Sequence, residues 1–272
     1  MSRPCRQRND VVKNPLRILL APFAGFFDLH ARTHYRAERH SMALTAGIIL
    51  AASVGGFIEI APLFTIDETV EADPHMRVYT PLEQAGRDIY VREGCYACHS
   101  QMIRTLRDEV ERYGPYSLAV ESKYDHPMLW GSKRTGPDLA RLGGKYSDDW
   151  QLRHLADPRA LVPQSVMPQY AFLLDARLDT ESLPGRLAAL RKVGVPYSDE
   201  MIASAADDAI GQASPLSGRA DGVAARYGDG TAVRAFDGRA DRLTEMDALI
   251  AYLQVLGKLT DLPAQVQPVA EE

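Results

Sequence analysis

The longest apolar run of the chain lies near its N-terminus. Residues 42–64 read MALTAGIILAASVGGFIEIAPLF, and the only charged residue among them is Glu59, close to their C-terminal end. These residues in helical form would extend roughly 34 Å, which is enough to cross a hydrocarbon core of about 30 Å. The pattern therefore predicts a membrane-spanning anchor helix, which we place at residues 41–66.

Basic residues precede this predicted helix, and acidic residues follow it. The basic residues are Arg3, Arg6, Arg8, Lys13, Arg17, Arg32, Arg36 and Arg39, and the acidic ones are Asp67, Glu68, Glu71 and Asp73. The positive-inside rule then places residues 1–40 in the cytoplasm and residues 67–272 outside it. A cleaved signal peptide is the alternative, but its apolar region is normally about 7–15 residues long.

Shorter amphipathic segments predict a helical domain after the anchor. Thr80-Pro81-Leu82-Glu83 combines an N-cap threonine, a proline at the first helical position and the glutamate of a capping box. Thr244 begins the last helix with the same kind of cap, and we expect it to cross the first at Gly86. The last helix has an apolar stripe at helical spacing: Met246, Leu249, Ile250, Leu253 and Leu256. No strand signal is strong, so the predicted fold is mainly α.

Residues 211–241 differ from the rest of this domain. They contain almost no apolar run and several glycines, namely Gly211, Gly218, Gly222, Gly228, Gly230 and Gly238. Glycine-rich polar stretches are typical of loops. The pattern predicts a long loop insertion on the surface.

The clearest chemical signal is the sequence Cys95-Tyr96-Ala97-Cys98-His99. C-x-x-C-H is the attachment signal for c-type haem, because two thiols can bond one porphyrin while the adjacent imidazole binds its iron. A zinc site would need further ligands, and the only other cysteine is Cys5. A redox dithiol would not require His99. The motif predicts one covalent haem c, and it agrees with a periplasmic location because c-type haem is attached outside the bacterial cytoplasm. The helix that runs into the motif and the amphipathic last helix suit a class I-like all-α cytochrome c domain.

A second axial ligand of the iron is sought among the methionines beyond the motif: Met102, Met128, Met167, Met201 and Met246. Met167 is favoured because Pro163 and Pro168 make its loop stiff and non-helical, so that the loop can hold the sulfur against the iron. A methionine ligand would raise the reduction potential of the haem. His154 is the competing ligand, but Arg153 and Asp157 beside it predict an exposed helix face.

Other residues are candidates for the haem environment. A carbonyl at Pro137 or beside it can accept a hydrogen bond from the outer nitrogen of His99 and fix its ring. Lys133 and Arg134 are candidates to neutralise the haem propionates, and Trp130 is a candidate wall of the haem site, as is Tyr170. The net charge of −5 and the pI of about 5.8 give no sign of a nucleic-acid surface.

Several further segments form a recognisable pattern. They are the end of the anchor at residues 55–64, the haem motif at 90–102, the block WGSKRTGPDLARLGGKY at 130–146 with residues 147–150, residues 165–168, residues 194–197 and the last helix at 246–257. Together they resemble the membrane-anchored mono-haem subunit (subunit II) of cbb(3)-type cytochrome c oxidases. Two departures are the first 35 or so residues and the stretch 211–241.

This resemblance implies a role and partners. Such a subunit takes electrons on the periplasmic side of the bacterial inner membrane and relays them to the haem b of the haem-copper catalytic subunit, which reduces oxygen to water. A di-haem cytochrome c subunit is the other implied partner. By the same resemblance, Cys95 and Cys98 attach the haem, while His99 and Met167 ligate its iron. The chain itself would be a non-catalytic electron carrier within an oxidoreductase.

Three other functions stay open at this point. A nitric oxide reductase also has a membrane-anchored cytochrome c subunit, although the block at residues 130–146 argues against that class. A membrane-tethered cytochrome c shuttle would have no stable partner. A haem sensor would need an exchangeable iron site and an output module, and neither is visible in the sequence.

Overall fold

The computed structural model describes residues 34–35, 38–64, 76–131, 133–228 and 230–260. Within these ranges the regular structure is helical, and the only β-type pairing is an isolated bridge between Arg177 and Thr244. The chain divides into two compact units, Met1–Thr69 and Val70–Glu272. The prediction of a mainly α fold is therefore confirmed.

The first unit contains helix α1, Ser41–Ile60, followed by a 3₁₀ turn at Ala61–Phe64. Among the described residues, α1 is the one helix long and apolar enough to cross a membrane, with a mean hydropathy of 1.9. None of its residues is buried by the rest of the chain. The α-helix ends before Pro62, since proline has no N–H to continue the hydrogen-bond ladder. Most of the basic segment predicted at residues 1–40 lies outside the described residues.

The second unit is built from nine described α-helices. In chain order they are α2 Pro81–Arg92, α3 Arg107–Tyr113, α4 Asp148–Ala156, α5 Pro158–Leu161, α6 Leu183–Lys192, α7 Asp199–Ala203, α8 Ala205–Ala213, α9 Ala220–Tyr227 and α10 Glu245–Val255. Short 3₁₀ turns lie at Cys95–Ala97, Ala119–Ser122 and Ala171–Leu174.

Both predicted capping boxes are confirmed. At the start of α2, the Thr80 hydroxyl accepts a hydrogen bond from the Glu83 N–H at 3.2 Å, and the Glu83 carboxylate accepts one from the Thr80 N–H at 2.9 Å. At the start of α10, Thr244 and Asp247 make the same exchange at 3.2 and 3.0 Å. The sequence therefore defines where the two principal helices of the domain begin.

Helices α2 and α10 pack closely, and Gly86 lies at their crossing as predicted. A Cβ atom at Gly86 would overlap the backbone carbonyl of Ala248 and lie 2.7 Å from the Cβ of Tyr252. The ring of Tyr252 meets that of Tyr90 edge to face, with centroids 5.5 Å apart. Since α10 is buried along its whole length, this crossing forms the centre of the core.

The stretch 211–241 requires a correction, because it is not an uninterrupted surface loop. It includes the end of α8 and all of α9, and Val223 and Phe236 are 0 % and 2 % exposed. The buried side chain of Gln212 accepts a hydrogen bond from the Thr80 hydroxyl at 2.5 Å and donates one to the Ala232 carbonyl at 3.2 Å. The prediction was wrong because only a few large apolar residues attach this segment to the core, and its many glycines resemble those of a loop.

Candidate haem site

The C-x-x-C-H sequence forms one tight turn directly after α2. Gly94 has a positive φ of 72°, which glycine adopts without strain, and it reverses the chain into the 3₁₀ turn Cys95–Ala97. The N–H groups of Cys98 and His99 both donate to the carbonyl of Cys95, at 3.1 and 3.0 Å. Two thiols and an imidazole therefore come from a single turn at the end of a core helix.

The thiols of this turn differ from those of a reactive dithiol. Cys95 is half-buried and Cys98 is exposed, and the two are not joined in a disulfide. Burial raises the pKa of the Cys95 thiol to about 12. Redox-active cysteines generally have a lowered pKa, because the thiolate is their reactive form. The environment of Cys95 thus does not favour the redox-dithiol alternative.

The ring of His99 is fixed by the loop that contains Gly136 and Pro137. Its Nδ1 lies 2.8 Å from the carbonyl oxygen of Pro137. Because a carbonyl can only accept, Nδ1 holds the proton, and Nε2 presents its lone pair to a metal. A Cβ at Gly136 would lie 2.7 Å from Nδ1 and 2.8 Å from Nε2, so the close packing requires glycine.

Arg134 has protein partners on several sides. Its Nε donates to the Ser100 hydroxyl at 2.8 Å, and its Nη2 donates to Glu109 at 2.8 Å and to the Met102 carbonyl at 3.0 Å. The hydrogen bond from Arg134, together with Arg104, holds the pKa of Glu109 well below its usual range. These bonds occupy Nε and Nη2 of Arg134. The guanidinium therefore has fewer free N–H groups with which to neutralise a haem propionate, the role for which the sequence makes it a candidate.

Lys133 and Trp130 lie on the segment before this loop. Lys133 is exposed, and it makes no ion pair with any residue that the structure describes. Trp130 is 40 % exposed, and its indole N–H donates to the Ser122 hydroxyl at 3.1 Å. The carbonyl of Trp130 accepts from the Gln101 N–H at 3.0 Å, which holds this segment beside the chain that follows the haem motif.

Met167 lies on a non-helical loop, as predicted, and packs half-buried against the hydrophobic core. This Met167 loop, residues 163–170, is fixed to the corner between α4 and α5 by three hydrogen bonds. They join the Tyr170 N–H to the Leu155 carbonyl at 2.8 Å, the Gln169 side-chain amide to Asp157 at 3.0 Å, and the Arg159 Nε to the Ser165 carbonyl at 3.2 Å.

Tyr170 and Met167 pack partly buried against the same hydrophobic core as Cys95 of the haem motif. Burial raises the pKa of the Tyr170 hydroxyl. The other methionines fit a ligand role less well: Met246 is fully buried in the core, and Met128 is 46 % exposed.

His154 differs from its predicted exposed position. Its ring is half-buried and stacks on Trp150, with centroids 4.7 Å apart and an interplanar angle of 17°. Trp150 stacks in turn on Tyr146 at 3.9 Å. Burial lowers the pKa of His154, and the nearby charge of His99 lowers it further. The sequence signal for this stack of three rings was the four-residue spacing of Tyr146, Trp150 and His154, because residues four apart are neighbours on a helix surface.

The donor set fits a haem better than an isolated metal ion. In the described ranges, no three or more His, Cys, Asp or Glu side chains come together as a possible metal site. The structure offers instead two thiols and an oriented imidazole on one turn, and Met167 packs against the same hydrophobic core as Cys95. Two thiols followed by an oriented imidazole are the residues that would hold a c-type haem.

A sequence profile of one protein family matches most of the chain. The family is described as "Cytochrome C oxidase, mono-heme subunit/FixO", and the match spans residues 34–260. The chain belongs to this family. The matched region of this FixO-family chain includes α1, the haem motif, the Met167 loop and α10. No curated protein matches the chain.

Family membership identifies the chain as a mono-haem subunit of a cytochrome c oxidase, which works together with other oxidase subunits. It confirms the family expected from the sequence and implies one haem. Helix α1 is compatible with a membrane anchor of this subunit. Residues 1–33 precede the matched region, where the sequence predicts an N-terminal extension.

Proposed function

We propose that this FixO-family chain is the electron-entry subunit of a cbb(3)-type cytochrome c oxidase. It receives electrons in the periplasm and passes them to the haem b of the haem-copper catalytic subunit, where oxygen is reduced to water. The observation that carries this proposal is the oriented ring of His99, hydrogen-bonded to Pro137 at 2.8 Å, in a C-x-x-C-H turn of a FixO-family chain.

In this proposal Cys95 and Cys98 would hold the haem through thioethers, and Nε2 of His99 would ligate its iron. Met167 would be the second ligand, and a thioether ligand raises the reduction potential. The haem supplies reversible one-electron chemistry. The protein's part is to bind and orient: Gly136 and Pro137 hold the imidazole, and α4 and α5 hold the Met167 loop.

We place the haem domain in the periplasm, anchored by α1 in the bacterial inner membrane with its N-terminus in the cytoplasm. The charge distribution along the sequence supports this orientation. The unburied apolar surface of α1 supports the membrane location, because the described part of the chain does not cover it. A haem-copper catalytic subunit and a di-haem cytochrome c subunit are the proposed partners.

The family match favours this function over its alternatives, since the family is that of an oxidase subunit and not of a nitric oxide reductase, a shuttle or a sensor. The test is purification of the full chain from its native membrane in mild detergent through a C-terminal tag. We expect co-purification of a large haem-b subunit together with oxygen-reducing activity. Recovery of the chain alone, with one c-type haem and no partner, would favour a tethered shuttle or a sensor.

Covalent attachment is tested by Cys98→Ala, with Cys5→Ala as the matched control because Cys5 lies far from the motif in sequence. After acid-acetone extraction, we expect haem to remain on the wild type and on Cys5→Ala but to be largely absent from Cys98→Ala. Full retention of haem by Cys98→Ala would contradict attachment through this cysteine.

A further inference from the structure

A column of three stacked rings begins just before α4 and ends at His154 within it. Tyr146 is exposed, Trp150 lies in the middle, and His154 is at the inner end. One contact puts His154 near the site: the next residue, Leu155, accepts a hydrogen bond from the Tyr170 N–H of the Met167 loop at 2.8 Å. The pKa of His154, which burial lowers and the charge of His99 lowers further, agrees with this placement.

The two ring nitrogens of His154 have different surroundings. Nδ1 is fully buried and has no hydrogen-bond partner. A buried N–H without an acceptor is unfavourable, because it loses its hydrogen bonds to water and gains none in the protein. Since one nitrogen of a neutral imidazole has no proton, the tautomer with a bare Nδ1 avoids burying an unpaired donor. The proton then lies on Nε2, on the edge of this half-buried ring that remains accessible.

The charged groups of α4 near His154 are already paired. Arg153 and Asp149 form an ion pair with each other at 2.9 Å on the exposed face, and Asp148 accepts from Arg234 at 3.0 Å. The accessible Nε2–H therefore donates to water unless a bound ligand supplies a better acceptor.

A haem has few groups that can be that acceptor. Its methyl and thioether substituents are apolar, whereas its propionates are carboxylates that accept hydrogen bonds well. We propose that His154 is a haem-binding residue whose Nε2–H donates to a haem propionate. Stacking on Trp150 fixes the ring in position, and the hydrogen bond fills part of the role that the sequence assigns to Arg134.

This inference rests on the proposed function in that it requires a bound haem. A donor beside a propionate withdraws negative charge from the haem and so makes the reduced state easier to reach. Removing the donor is expected to lower the midpoint potential. We expect a three- to tenfold shift of the redox equilibrium toward the oxidised form, which is about 30–60 mV for one electron.

The test is a spectroscopic redox titration of the intact purified complex with His154→Phe, His154→Gln and Arg153→Gln. Phenylalanine keeps the stacking but has no donor, glutamine keeps a donor, and Arg153 is the exposed neighbour on the same helix. We expect a lowered potential for His154→Phe, at least half of that loss restored in His154→Gln, and no shift for Arg153→Gln. The oxidised spectrum should be unchanged in all three, because the axial ligands are not altered.

An unshifted potential in His154→Phe would overturn the inference. Equal shifts in His154→Phe and His154→Gln would also overturn it, because the potential would then depend on the packing of the imidazole and not on a hydrogen-bond donor. If His154→Phe loses its haem, retention by His154→Gln supports the hydrogen bond, and loss by both contradicts it. Failure of the proposed function is distinguishable, because it is seen in the wild type itself, either as recovery of the chain without a haem-b subunit or as the absence of a covalent haem.

Discussion

The ring of His99 is fixed by backbone groups, whereas the Met167 loop is fixed partly by hydrogen bonds of exposed side chains. Gly136 and Pro137 leave the imidazole no room to turn. In contrast, Arg159 and Gln169, which hold the Met167 loop, are exposed, and Val166 beside Met167 is 75 % exposed. We therefore expect a substitution that crowds His99 to lower the haem content strongly. A substitution that removes one surface bond of the Met167 loop should change the reduction potential only slightly.

The largest effect is expected from Gly136→Ala. The added methyl group would occupy the space of the His99 ring, and overpacking of this kind costs about 1–3 kcal/mol. Haem content should fall strongly, and the unfolding midpoint should fall with it, both measured on the purified complex.

The matched control for this change is Gly185→Ala. Gly185 lies in α6 with open space around it, so alanine should stabilise the helix by up to about 1 kcal/mol and leave the haem content unchanged. Equal haem content in both variants would contradict the tight packing of His99.

Replacing the proposed methionine ligand tests the role of Met167. Met167→His should keep the covalent haem but lower its reduction potential by on the order of 100 mV, because imidazole stabilises the oxidised iron more than a thioether does. The measurement is a redox titration in which the absorption spectrum of the haem is recorded at each potential. An unchanged spectrum and potential would show that Met167 does not bind the iron.

A smaller effect on stability is expected from Glu109→Gln. Glu109 is 3 % exposed and accepts from Arg134 at 2.8 Å, and hydrogen bonds to charged groups contribute about 1.5–3 kcal/mol. At neutral pH the variant should unfold more readily than the wild type by about 2 kcal/mol. Glu111→Gln is the control, since its ion pair with Arg107 is exposed to solvent and should contribute little to stability.

The pH dependence of this effect follows from the direction of the pKa shift. The pKa of Glu109 is lowered in the folded state, so its stabilisation is present above its ordinary value of 4.5 and is lost as the pH falls. The stability difference between wild type and Glu109→Gln should therefore shrink below that pH. A difference that is constant from pH 7 to acid would contradict the charged pair.

The smallest effect is expected from Arg159→Gln. It removes one exposed hydrogen bond, to the Ser165 carbonyl at 3.2 Å, while the buried bond between Tyr170 and Leu155 remains. A typical hydrogen bond contributes about 0.5–1.5 kcal/mol. The reduction potential should shift only slightly and the haem content should not change. A complete loss of the Met167 ligand in this variant would mean that the loop depends on Arg159 alone.

Features encoded by local sequence were predicted well. The caps at Thr80 and Thr244 and the bond between His99 and Pro137 depend on short-range chemistry or on glycine and proline. The crossing at Gly86 was also predicted, because the two apolar helices need a position without a side chain. These features can be predicted because a threonine before a helix, or a glycine or proline at a tight contact, has few alternative structural roles.

Features that depend on distant partners were not predictable in the same way. The partners of Arg134 include Glu109, which is 25 residues away, so a sequence could not show that this guanidinium is engaged. Helix α9 forms because Val223 and Tyr227 find a core to pack on. His154 was assigned to an exposed face from its charged neighbours, whereas stacking on Trp150 turns its ring inward.

The most direct test of the central claim is to mix the fully reduced, intact oxidase complex with oxygen and follow the absorbance of the c-type haem on this chain. We expect this haem to be oxidised at least as fast as the complex turns over, because electrons pass through it to the catalytic subunit. A haem that stays reduced while oxygen is consumed at the full rate would contradict the role of this chain as the electron-entry subunit.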